Sequence, residues 1–186
     1  MRSVDRPATV GRAETPEDIG LRTILLIATL VLLGLPACAA AGEPLPASGD
    51  AKLAAYTVCH SLAAVDMGPV GAQSSAECNG IVKSRDGSKL FDNLAIRCLE
   101  ESRARADGYR FFGTCVQTDA DGDKLYMTYD GPESGPLQWI GGTGKYEHIA
   151  GAGTWTVADA PGNSSALFAF TLTYDASWTS KAAGEK

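Results

Sequence analysis

The sequence predicts an all-β protein, a single eight-stranded antiparallel barrel. Three observations predict it. Beyond residue 52 no stretch repeats apolar residues at helical spacing, so a helix would have no stripe to bury. Short runs rich in Val, Ile, Phe, Tyr, Trp and Thr recur instead, punctuated by clusters of Gly, Pro and Asp. The runs number eight, enough for a sheet to close and remove its own edges. A sandwich of the same strands is the alternative.

In order, the runs are 54–63, 75–83, 91–101, 109–118, 124–130, 137–141, 152–158 and 166–174. Gly68-Pro69 separates the first two, Asp86-Gly87-Ser88 the next pair, and Asp107-Gly108 the third and fourth. Asp121-Gly122-Asp123, Gly131-Pro132 and Pro161-Gly162-Asn163 serve later turns, where glycine accepts a positive φ without a Cβ clash. In the first run Tyr56, Val58, His60 and Leu62 share a face, which this reading turns inward. The third run is ambiguous, because Leu94, Ile96 and Cys98 compete with Phe91 and Ala95 for the interior. The last run places Phe168, Phe170, Leu172 and Tyr174 together as one wall.

The barrel domain is expected over 53–175, after a linker at 42–52 and before a flexible tail at 176–186. Residues 24–35, "ILLIATLVLLGL", followed by Pro36 and the series Ala37-Cys38-Ala39-Ala40-Ala41, predict a signal peptide over 21–41. A membrane anchor is the competing reading, since 23–42 carry no charge. Through Arg22, four arginines are balanced by four acids, unlike an ordinary signal peptide. Residues 1–20 therefore read as a disordered leader or as sequence upstream of the true start. The expected location is periplasmic or extracellular, with membrane association only through an uncleaved signal or an acylated Cys38. "LPAC", Leu35 to Cys38, resembles the lipobox that would allow that acylation.

Cys59, Cys78, Cys98 and Cys115 remain after processing, an even set that reads as two disulfides. Equidistance from turns favours Cys59–Cys78 with Cys98–Cys115, and leaves Cys78–Cys98 open. From residue 42 onward 12 basic residues face 18 acidic ones, which argues against nucleic acid and anionic lipid as partners.

"GGTGKYEHIAGAGTW", residues 141–155, looks at first like a phosphate loop. Its spacing excludes that reading: the first glycine of G-x-x-x-x-G-K-[ST] would fall at Trp139, and the hydroxyl position is Tyr146. Gly141, Gly142, Gly144, Tyr146, Gly151, Gly153 and Trp155 instead match the Gly-rich segment of allene-oxide-cyclase-like barrels, a superfamily that includes plant dirigent proteins. "CVQTDADGDKLYMTYDG" resembles the hairpin that precedes it in exported bacterial members. The resemblance spans about 109–174 and implies the barrel, with glycine used for sharp turns and close packing. It implies no activity by itself.

Asp119, Asp121 and Asp123 imitate the start of a calcium loop, but Lys124 stands where glycine is required. A solvated hairpin tip is the expectation, with weak Ca²⁺ binding as the alternative and no other cofactor. His60 is the candidate ligand-binding group of a lumen, with Asn93 and Arg97 as companions, and His148 is expected in an exposed loop. No nucleophile elbow or metal cluster is apparent, so no catalytic residue is assigned. The favoured function is a non-catalytic binding or structural module, with a small apolar ligand as the expected partner. An isomerase or dirigent-like protein that steers an apolar substrate is the alternative. An open apolar lumen with convergent polar groups would support binding or cyclisation, and a filled one a structural role.

Overall fold

The computed structural model describes residues 45–159 and 167–180. The predicted leader, the signal segment, Cys38, the Pro161-Gly162-Asn163 turn and residues 181–186 lie outside the described residues. The described residues form eight strands: β1 (Ser48–Asp66), β2 (Ala72–Ser84), β3 (Leu94–Arg105), β4 (Gly108–Thr118), β5 (Lys124–Gly131), β6 (Ser134–Gly142), β7 (Ile149–Asp159) and β8 (Leu167–Ser180). Each pairs antiparallel with the next, and β8 returns to β1, giving a closed barrel. Closure rules out the sandwich. Among the described residues no helix is long and apolar enough to cross a membrane.

The strands overrun their predicted ends for one reason: side chains there have somewhere to go. β1 starts at Ser48, inside the expected linker, and β8 continues to Ser180, past the expected domain end. Those extra residues pair with each other, Ser48 with Thr179 and Gly49 with Trp178, and Trp178 is buried. β3 starts later than expected. Phe91 and Asn93 adopt a φ of 60°, which breaks the strand and turns Phe91 into the barrel. That connection is held by Asp92, which accepts the Ser84 amide at 2.9 Å and the Lys83 ammonium at 3.1 Å.

The two barrel ends differ. At the end where the chain enters β1 and leaves β8, Phe91 packs against Trp139 (4.9 Å between ring centres), Trp178 (5.7 Å) and Tyr146 (5.8 Å). Leu53, Leu94, Val82 and Ile149 fill the space around these rings, so this end is a solid plug. Midway, Cys59, Cys78, Cys98 and Cys115 occupy one row of register partners across β1 to β4. They are joined as Cys59–Cys78 and Cys98–Cys115, the pairing the sequence favoured. Each bond closes a loop worth about 3 kcal/mol in the chain-entropy account. Two disulfides fit an oxidising environment.

Candidate functional site

Above the cysteine row the interior opens. A cavity of about 280 Å³ lies inside the end opposite the plug. Six aromatic rings line it: Tyr109 and Phe111 from β4, Tyr129 from β5, Trp155 from β7, and Phe168 and Phe170 from β8. Strand alternation delivers them, since the inward residues of each strand lie two apart. Ala76 and Leu172 add small apolar wall. The polar contribution comes from Ser74, Ser102 and Glu100, all of which line the cavity. The two serine hydroxyls are 2.6 Å apart and share a hydrogen bond across β2 and β3.

Glu100 is the unusual member. It is 3 % exposed, and it accepts a hydrogen bond from the Tyr129 hydroxyl at 2.6 Å. Burial raises its carboxyl above the ordinary range, and the Tyr129 hydrogen bond opposes but does not cancel that shift. Burial, then the neighbouring carboxyl, pushes the Tyr129 phenol well above its own ordinary value. Among the described residues no Lys, Arg or His lines the cavity.

The pair depends on a glycine. Glu100, Gly113 and Tyr129 form one rung across β3, β4 and β5, so Tyr129 must cross β4 to reach Glu100. A Cβ at position 113 would collide with the Tyr129 ring. Glycine leaves the gap that the phenol fills. Trp155 packs edge-on against Tyr129 at 5.0 Å and donates its indole N–H to the Asp130 carbonyl at 3.3 Å, which fixes the opposite wall.

The residues singled out from sequence are placed elsewhere. His60 lies on the outer wall, 51 % exposed, with its Nε2 3.9 Å from Glu77. Tyr56, Val58 and Leu62 do share its face, as expected, but that face is outside. Inward on β1 stand Ala51, Leu53, Ala55, Thr57 and Cys59, mostly small because the rings of β6 and β8 already occupy the interior. Arg97 is also outside and hydrogen-bonds Glu77 at 2.5 Å. Asn93 belongs to the β2–β3 connection, where it accepts from Lys83 at 2.7 Å. His148 is exposed, as expected.

The aspartate cluster has acquired a cation from the chain itself. Lys145, the lysine of the Gly-Thr-Gly-Lys stretch, places its Nζ 2.6 Å from Asp119 and 2.9 Å from Asp121. Its backbone amide donates to Asp123 at 3.1 Å. Burial alone would lower the Lys145 pKa, but Asp119 and Asp121 outweigh it and hold the ammonium above its usual range. Gly144, at a φ of 56° and pressed against Asp123, makes this close approach feasible. The cluster is therefore a clamp between the β4–β5 and β6–β7 turns, not a freely solvated tip. Among the described residues no group of three or more His, Cys, Asp or Glu is arranged to hold a metal ion.

No protein-family model matches the sequence, and no curated protein sequence matches it. Solved structures that resemble the chain in backbone shape include two dirigent proteins. The pterocarpan synthase dirigent protein GePTS1 gives a TM-score of 0.49 at 11 % identity, covering 77 % of this chain and 92 % of that one. The pterocarpan synthase dirigent protein PsPTS1 gives 0.47 at 10 % identity, covering 74 % and 99 %. The closed eight-stranded barrel implied by the Gly-rich segment is the one observed.

Proposed function

We propose that this is an exported binding protein whose barrel lumen holds one small, mainly apolar molecule and orients it through a single polar anchor. The observation that carries the reading is the cavity: lined by aromatic rings and furnished with Glu100 at its wall. Such a site combines a large apolar contact area with a few convergent polar groups, as ligand pockets do. A barrel needed only as a scaffold would gain stability by filling this space as it fills the other end. Export is supported by the two disulfides and by the apolar run at 24–35.

The test is ligand-dependent quenching of tryptophan fluorescence by naphthylethanol, a neutral aromatic probe small enough for the cavity. Ala76, directly opposite Glu100 in register, lines the cavity, so Ala76→Phe should fill it. Saturable binding that disappears in Ala76→Phe, with the fold intact, is the expected result. Equal binding by parent and variant would place the probe elsewhere and refute the reading.

A second reading, an isomerase that uses Glu100 as an acid toward the bound molecule, is favoured by the raised carboxyl pKa. It requires everything the binding reading requires, and a substrate whose conversion fails in Glu100→Gln while binding persists.

A further inference from the structure

We propose that the preferred ligand of the lumen is a hydrophobic amine, bound as its ammonium ion between Glu100 and the aromatic walls. The proposal rests on the lumen reading above and narrows it to one chemical class. Among the described residues six aromatic rings and one carboxyl line the cavity, and no basic side chain lines it. Ring faces carry negative potential and attract organic cations, most strongly where water is excluded. A buried carboxyl without a cation is costly in its ionised form, so an entering ammonium removes a penalty that a neutral guest leaves in place. An anionic guest would meet a carboxyl and no counter-charge. The geometry favours the cation over both.

The groups facing Glu100 are few. Tyr129 from β5 donates to its Oε2, Ser74 and Ser102 sit toward the mouth, and Tyr109 from β4 lines the same cavity. Cys98 and Cys115, on the plug side, are joined in a disulfide and do not titrate. Arg103 and Arg110 are exposed and engage Glu101 and Asp130. Proton balance follows from this inventory. When the Glu100 carboxyl is protonated, an incoming ammonium keeps its own proton and the carboxyl releases one to solvent. Affinity for an amine therefore rises with pH until Glu100 is ionised in the free protein, and falls only when the amine itself loses its charge.

The experiment compares naphthylethylamine with naphthylethanol and naphthylpropanoic acid by calorimetry, over a pH series and in buffers of different ionisation enthalpy. The amine should bind about tenfold or more tightly than the alcohol, from the charge-assisted bond and the ring faces together. The acid should bind least. On the acidic side of the Glu100 titration the parent should release about one proton per amine bound. Glu100→Gln should abolish the amine's advantage, so that amine and alcohol bind the variant with about equal affinity. Equal affinities for amine and alcohol, or no proton release on the acidic side, would overturn the cation proposal while leaving the lumen reading intact. Absence of binding by every probe would overturn both. The proton count is made on the parent protein, so the proposal remains testable if Glu100→Gln does not fold.

Discussion

Gly113→Ala should damage the site without touching a polar atom. The new methyl would stand 2.6 Å from the Tyr129 hydroxyl oxygen and nearer still to the ring carbons, against an ordinary contact of at least 3.4 Å. Backbone on both sides is fixed, because Gly113 pairs with Glu100 and with Tyr129 in the sheet. The ring must therefore move by about an ångström toward the cavity, breaking its 2.6 Å hydrogen bond to Glu100. Overpacking costs about 1–3 kcal/mol. Leaving a buried carboxyl and phenol unpaired adds about 1–3 kcal/mol. A loss of about 3 kcal/mol is expected, read as a shift in the denaturant midpoint with disulfides intact. Tyr129→Phe should cost about 1–2 kcal/mol alone, yet almost nothing in the Gly113→Ala background, because the hydrogen bond is already gone. Additive costs in that cycle, or a Gly113→Ala protein as stable as the parent, would refute the bridging role of Tyr129.

Three further outcomes are expected. Because the Glu100 carboxyl is raised in the folded protein, its contribution is fully present below the unfolded carboxyl pKa and is lost as pH rises through the folded one. The stability of parent relative to Glu100→Gln should fall over that window and then level, and a difference independent of pH would contradict the assignment. Lys145→Ala should cost about 2 kcal/mol near neutral pH by leaving the mostly buried Asp119 without its cation. That cost should shrink in acid as Asp119 protonates, and a loss unchanged in acid would point to packing instead. Peptide mapping without reduction should link Cys59 to Cys78 and Cys98 to Cys115. A Cys78–Cys98 peptide would contradict the structure.

Much of the barrel was legible because strand punctuation is local chemistry. Asp-Gly turns and alternating Phe168, Phe170, Leu172 and Tyr174 declare themselves within a few residues, and the inward face of β8 is the one expected. The face of β1 misled because large apolar residues usually point inward, whereas here Leu53, Ala55 and Cys59 do so beneath rings supplied by distant strands. Hydrophobicity along one strand says nothing of how full the opposite wall is. Glu100 was missed although a signal existed. Cys98, bonded to Cys115, is buried inside the barrel, and strand alternation carries Glu100 and Ser102 inward with it. What no local pattern contains is the rung Glu100–Gly113–Tyr129, since it joins three strands through the register of two separate hairpins. The Lys145 clamp is hidden for the same reason, with more than twenty residues separating the lysine from its partners.

The most direct test of the account is the location of a bound neutral probe. Intermolecular NOEs from naphthylethanol, recorded on isotope-labelled protein at saturating probe, should reach Phe111, Trp155 and Phe170 in the open half of the barrel. They should not reach Phe91 or Trp178 in the plugged half. Contacts confined to outer-wall residues such as Tyr56, Val58 and Ile81, with none to the aromatic cavity, would contradict the claim that the lumen is the binding site.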